Sequence, residues 1–565
     1  MKKFISVVLC LAIIFAVSIL PVSAQDAEIK VIVANDLHYD AKTVNLQKVP
    51  KRNSVSADYA HASTSLQHGD ASYAIIKAFL EKAAASDADA LFLPGDFSND
   101  GTVAENEYIA ALLREFEINT GKSIYVVPGN HDLFKTDYKQ FAEIFNDFGY
   151  GEAIAKDSTS ASYAADLDGN YRLLAIDTTD HGGSVHGINA SRAEWIKTQA
   201  EKAKAEGKKT IVIMHHNLIE HFIFGNTIRD SAVINDDYPL ADIFAANGIK
   251  YVFSGHTHDQ DIAAYTAADG SVVYEAVTGA LNVYPCPYRV VAFGESVEFN
   301  AEIVDKIDTS LIADGISENA MALMESNFTE YSRNFAEAGL AQLMSSYTNA
   351  STLKSLLKLD KTEDAAMCAI IDKVGKKLNE AVKMPIYAAE ETTEGLSVES
   401  IVAKNNVTLP SSEFDNIIEV ATEIYLAHVV GDEKYPAYSN EVVLLSRGLS
   451  AILSYTLGDV SAEEYAQVLT FVFKLLNADV PADLIKYAGD GISRFKGIEI
   501  LVTTVMVPVI LEFTLDDAPA DNNAVLPGYA QTQADIEKEL TFWQKIEAFF
   551  VKIFEAIMSI FAFVG

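Results

Sequence analysis

Between Ile29 and Phe299 short apolar runs alternate with amphipathic stretches, and this alternation constrains the fold more than any other feature of the chain. Strands are expected over Ile29–Ala34, Ala90–Leu93, Ser123–Val127, Leu173–Ile176, Thr210–Met214 and Lys250–Phe253. The spacing between them predicts helices over Ala71–Ala85, Val103–Asn119, Asp137–Phe148, Arg192–Glu206 and Pro239–Asn247. Three more apolar stretches, Ser271–Val277, Tyr288–Phe293 and Val297–Val304, follow without helices between them. The pattern is that of a layered α/β or α+β sandwich, in which sites gather at the carboxyl ends of strands.

The residues that end these strands carry the chemistry. The first run leads into Asp36-Leu37-His38, the second into Gly95-Asp96, and the third into Gly129-Asn130-His131-Asp132. Thr210–Met214 runs into His215-His216, and Lys250–Phe253 into Gly255-His256-Thr257-His258. The chain holds 12 histidines, and six of them fall in these five exits. Imidazoles mixed with carboxylates favour a borderline transition ion over Mg²⁺ or Ca²⁺. Seven candidate ligands exceed the needs of one tetrahedral ion but suit two ions sharing one carboxylate. Gly95, Gly129 and Gly255 give the backbone room to turn beside them.

D-x-H, GD, GNHD, a histidine at a strand exit and GHTH, in that order, resemble the calcineurin-like metallophosphoesterase superfamily, with the likeness spanning about Ile29–Val304. The resemblance implies a four-layer sandwich, two sheets flanked by helices. It also implies two divalent or trivalent transition-metal ions, Fe, Mn or Zn. Asp36, His38 and His258 would hold one ion, Asn130, His215 and His256 the other, and Asp96 would bridge them. The implied reaction is hydrolysis of a phosphoric ester by in-line attack of a metal-bridging hydroxide, with a phosphodiester favoured over a monoester. His131 would then stabilise the transition state or protonate the leaving oxygen, with Asp132 either orienting it or capping the next turn. Asn99 stands where the protein-phosphatase branch has an aspartate and is expected beside the substrate, while His216 is expected either there or behind the ligands. Substrate contacts are also sought in the loops Ala41–Asp70 and Asn217–Tyr238, at His61, His68, His221 and Arg229, and at Tyr288-Arg289, against the plainer reading of each as an ordinary surface or loop residue and of the last pair as a structural turn.

The 565-residue chain is long enough for more than this unit. Lys2 and Lys3, the apolar run Phe4–Leu20 and small Val22-Ser23-Ala24 have the order of a secretory signal peptide, so residues 25–305 are expected to be the phosphoesterase domain of a secreted or envelope-associated protein. Losing the two lysines of residues 1–24 takes the net charge from −36 to −38, which argues against nucleic acid as an electrostatic partner. Residues 306–515 carry helical periodicity, as in Ile316–Ala338, Ala365–Val382, Asp415–Val429 and Glu441–Leu457, and are expected to form a mostly helical domain. Asp516–Gly528 is rich in turn formers, and 516–540 is expected to be a linker. Residues 541–565 form an aromatic-rich amphipathic stretch, suited to docking on the helical domain, to pairing with a copy of itself, or to lying on a membrane surface. A second functional class stays open alongside hydrolysis, a cell-envelope binding protein whose helical half and tail carry the role.

Overall fold

Both faces of the predicted strands are apolar, which demands that each sheet be covered on two sides. In the computed structural model this is what the chain builds. The structure describes residues 28–41 and 65–529, apart from internal stretches of which 222–232 and 389–395 are the longest. The signal-peptide segment, His61, Arg229, most of Ala41–Asp70 and the aromatic tail lie outside the described residues.

The first sheet joins β1 (Ile29–Val33), β2 (Ala90–Leu93) and β3 (Ser123–Val126), which run parallel. Two sequential runs lead into the second sheet, β4 (Ala155–Lys156) and β5 (Tyr163–Asp166). They are followed by β6 (Tyr171–Ile176), β7 (Lys209–Met214), β8 (Tyr251–Ser254), β9 (Asp261–Thr266) and β10 (Val272–Val277), giving the order β9-β10-β8-β7-β6-β5-β4. The chain then returns to the first sheet through β11 (Pro287–Phe293) and β12 (Ser296–Ile303), antiparallel beside β1.

Period-two side-chain alternation divides the core. Leu173, Ala175, Ile211 and Ile213 point between the sheets, where Phe92 and Phe253 meet across the gap at 6.4 Å between ring centres. Leu174, Ile176, Val212 and Met214 point outward and are covered by Ile196 and Phe244 of two helices, Ala190–Ala205 and Leu240–Ala246. The helices Ser72–Ala85 and Val103–Thr120 cover the first sheet with Ile75, Phe79, Ile109 and Leu113. The result is helices, sheet, sheet, helices. β1, β2 and β3 in one sheet and β6, β7, β8 and β10 in the other are parallel, so their carboxyl ends collect at one rim.

The expected helix Ile316–Ala338 is two helices, α1 (Glu318–Ser326) and α2 (Phe328–Tyr347). Asn327 ends the first and starts the second, its side chain accepting from the Glu330 N–H, as an N-cap does. Further helices follow, among them Ala365–Ala381, α3 (Ile417–Val429) and Asn440–Thr456, around their own apolar clusters. Among the described residues no helix is long and apolar enough to cross a membrane.

The linker expectation needs correcting over its described part. Residues Asn523–Pro527 form β13, which pairs antiparallel with β12 and completes the order β13-β12-β11-β1-β2-β3. Turn-forming neighbours hide this strand in the sequence, and Pro527 is tolerated because the strand lies at the sheet edge. Cys286 and Cys368 are separately buried free thiols and do not pair.

Candidate metal centre

The loops leaving β1 and β2 stay hydrogen-bonded beyond the strands, Asp36 N to Gly95 O at 3.0 Å and His38 N to Asp96 O at 2.9 Å. This lateral tie fixes both acidic residues at one height. At that height Asp36 Oδ1 lies 3.5 Å from His258 Nε2 and 3.7 Å from His38 Nε2, and the two imidazole nitrogens are 3.3 Å apart. The other carboxylate oxygen of Asp36 accepts from the His256 N–H at 2.9 Å and from the Asn35 side chain. Asp36 Oδ1 itself is buried without a hydrogen-bond donor.

A second group adjoins the first. Asp96 Oδ2 is 3.2 Å from His215 Nε2 and 3.8 Å from His38 Nε2, so this carboxylate stands between the groups. Asn130 Oδ1 is 3.2 Å from His215 Nε2, and the rings of His215 and His256 are 5.1 Å apart. His215 donates through Nδ1 to the Pro94 carbonyl at 2.9 Å, which fixes the tautomer and turns Nε2 toward the cluster. All seven predicted ligands are thereby brought to one place.

The donor set fits metal ions. Nitrogen and oxygen ligands about 2.0–2.2 Å from a common ion stand roughly 3–3.5 Å from one another, the spacing found here. Burial strips His38 and His256 of their protons, holding them down at about 4 and about 3, so they are neutral donors. At His215 burial acts in the same sense, but the Asp96 carboxylate overrides it and raises the imidazole to about 9. The backbone carries the same signature. Asp36, His38, Asp96, His256 and His258 adopt φ of 52°, 41°, 53°, 71° and 66°, left-handed values that cost about 1–3 kcal/mol each and persist where function fixes a side chain. At Gly129 a Cβ would stand 2.1 Å from Asp96 Oδ1, so the GNHD turn can pass this carboxylate only with glycine there.

The other residues singled out in the sequence take the following places. Asp132 does not contact the His131 ring. It is buried, with Oδ1 accepting from Phe97 N at 2.8 Å and Ser98 N at 3.0 Å, and Oδ2 from Gly129 N at 3.0 Å. Its carboxylate clamps the GD loop to the GNHD turn. Asn99 orients His131 through its main chain, its carbonyl accepting from His131 Nδ1 at 2.8 Å, while its side chain turns to Asp100. His216 is buried behind the proposed ligands, one of its two expected places. Its Nδ1 meets Thr178 Oγ1 at 2.7 Å, and it offers a ligand atom within reach of those of His215 and His256. His68, His221 and Arg289 are structural: His68 bonds Ser332 at 2.7 Å and packs on Phe335, and His221 pairs with Asp261 and Glu275. Arg289 donates to the carbonyls of Val277 and Asp521. Tyr288 bonds Glu302.

Sequence reasoning missed several supporting groups. Asn217 ties the exits of β7 and β8 by donating to Ser254 Oγ and Gly255 O, both at 3.1 Å. Thr178 and the Pro94 carbonyl orient the two neighbouring histidines. Asn217 alone gave a signal, as the residue directly after the histidine pair.

The calcineurin-like phosphoesterase family matches residues 29–260. No curated protein matches the chain. Among solved structures, a dimetal phosphatase from Danio rerio is 10% identical, with 49% of this chain and 97% of that one covered and a TM-score of 0.37. A purple acid phosphatase from yellow lupin is 11% identical over 50% of this chain and 52% of that one, with a TM-score of 0.32. Phosphopantetheinyl hydrolase from Mycobacterium tuberculosis is 12% identical, covering 45% and 91%, at a TM-score of 0.24. With the strand-exit motifs and the buried His/Asp cluster they assemble, residues 29–260 belong to the calcineurin-like metallophosphoesterases.

Proposed function

We propose that the protein is an exported phosphoesterase that uses two metal ions and prefers a phosphodiester. The observation that carries this is the convergence of Asp36 Oδ1, His38 Nε2, His258 Nε2, Asp96 Oδ2 and His215 Nε2 in one buried cluster at the strand ends. Asp36, His38 and His258 would hold one ion, and Asn130, His215 and His256 the other, with Asp96 between them. Ions bound there supply charge against a phosphoryl group and acidify water.

The protein's own residues do the rest. With Nδ1 committed to the Asn99 carbonyl, His131, which lies beside His38 and Asp96, keeps Nε2 to hydrogen-bond a phosphoryl oxygen or deliver a proton to the leaving oxygen. The main-chain N–H of His131 donates to Asp96 Oδ1 at 2.8 Å, so the residue beside the substrate and the shared carboxylate move as one unit. The preference for a diester rests on Asn99, which leaves His131 without the acidic partner of the protein-phosphatase branch. The test is metal analysis of the full protein with assays on aryl phosphate mono- and diesters. About two equivalents of metal with faster diester cleavage are expected. Full metal loading with no turnover of either ester would transfer the role to binding. Export is tested by sequencing the amino terminus of protein recovered outside the cell. It should begin at Gln25, and retention of residues 1–24 refutes export through a cleaved signal.

A further inference from the structure

A cavity of about 240 Å³ opens beside His256 and His258, and its opposite wall belongs to the helical region. Leu343 of α2 and Tyr425 and Val429 of α3 face the two histidines across it, with Leu66 and Val283 closing the sides. This wall is held by a direct bond to the loop that carries the histidines: Gln260 N donates to the Val429 carbonyl at 3.2 Å. Within the phosphoesterase region, Gln260 Oε1 accepts from Gly279 N at 2.9 Å and steadies that loop. At Gly431, just past α3, φ is +62° and a Cβ would stand 2.7 Å from the Gln260 carbonyl, so the helix end approaches this loop as closely as a main chain can. An apolar cluster seals the junction, with Leu66 and Ala280 packed on Ala336, Leu340 and Leu426.

Two properties of the cavity define what it can accept. Among the described residues that line it none is lysine or arginine, while Asp259 contributes a carboxyl. A second phosphate would face that carboxyl, in a chain whose net charge is already −36. The wall is instead aliphatic and aromatic. The volume lies just under the roughly 300–1,000 Å³ of pockets for drug-sized ligands, so it suits one ring or a short chain.

We propose that Leu343, Tyr425 and Val429 of the helical region are specificity-determining residues of the phosphoesterase site, selecting esters whose non-reacting substituent is a small, uncharged, apolar group. This rests on the reading of His256 and His258 as metal-site residues, and the experiment separates the two. Binding of phenylphosphonate and methylphosphonate to the metal-loaded full protein is measured by calorimetry, beside hydrolysis of p-nitrophenyl phenyl phosphate and p-nitrophenyl methyl phosphate. Burying a ring favours the phenyl compounds by about tenfold or more. Tyr425→Ala and Leu343→Ala should each shrink that preference severalfold, seen in binding and in KM, whereas Tyr425→Phe, which keeps the ring, retains it. Metal content reports whether each variant is folded. Equal binding of the two phosphonates by the unmodified protein overturns the proposal, as does an undiminished preference in both alanine variants at full metal content. A phenyl preference in binding without hydrolysis of either ester upholds the pocket and refutes the phosphoesterase reading alone.

Discussion

Asp96→Asn is expected to reduce phosphoester hydrolysis by more than about 100-fold and to lower the bound metal, and His215→Ala to do the same. Loss of a group that merely supports a metal ligand costs about 10–100-fold in affinity or activity, and these two residues are proposed as the ligands themselves. Asp96 is the more informative because its carboxylate serves three neighbours at once. Oδ2 lies 3.2 Å from His215 Nε2 and 3.8 Å from His38 Nε2, and Oδ1 accepts from the His131 N–H at 2.8 Å. Asparagine has nearly the same shape, so the substitution removes charge without opening a cavity. The amide can keep its oxygen toward His131 and offer an NH₂ to the metal side, or rotate and set that NH₂ against the His131 N–H. Neither choice serves both sides. Metal analysis and kcat/KM on an aryl phosphodiester are the measurements. Wild-type metal content with turnover within tenfold of wild type would remove Asp96 from its place between the two groups. His215→Ala differs in that it also frees the Pro94 carbonyl, and its metal loss should centre on the Asn130 and His256 side.

The residues that cluster at the strand ends were legible in the sequence because metal chemistry restricts residue type. Only a few side chains can serve, and five strand exits carrying them leave little freedom. The strands themselves were legible for a related reason, since burial on both faces writes an uninterrupted apolar run, as in Ile211–Met214. What sequence could not reveal falls into three physical kinds. Main-chain groups carry no residue signature, so Asn99 drew notice for its amide while its carbonyl does the orienting. Long-range pairing is invisible locally, so β13, lying more than two hundred residues after its partner β12, passed for a linker. An apolar residue on a helix looks the same whether it faces a core or a cavity, and nothing in the periodicity of α2 or α3 distinguishes Leu343 or Tyr425. His68 and His221 show the converse. A histidine in a loop suggests chemistry, yet His68 is packed among Phe328, Tyr331 and Phe335, and His221 is buried between Asp261 and Glu275.

Asp132→Ala is expected to destabilise the fold by about 3 kcal/mol or more, a loss that would separate its role from that of His131 beside it. Its carboxylate is buried and accepts from the N–H groups of Phe97, Ser98 and Gly129 at 2.8, 3.0 and 3.0 Å, and from Ser98 Oγ at 3.2 Å. Alanine leaves three main-chain donors facing a void, and each buried donor without an acceptor costs about 1–3 kcal/mol. At about 2–4 °C per kcal/mol for domains of 150–250 residues, the melting temperature should fall by about 10 °C. Asp132→Asn keeps one acceptor oxygen but turns an NH₂ toward one of the donor sets, so its loss should be intermediate. A residue that only tuned His131 would behave otherwise, lowering turnover and shifting the pH profile with melting unchanged. His131→Ala supplies that contrast. His131 is only partly buried, so turnover should drop while melting moves by about 2 °C or less. Thermal melts and kcat for the two alanine variants therefore separate the roles. An Asp132→Ala protein that melts with the wild type yet fails to turn over would return the carboxylate to the catalytic machinery. In GNHD, then, two adjacent residues should fail in different ways, because one is proposed to act on the substrate and the other holds together the two loops that carry it.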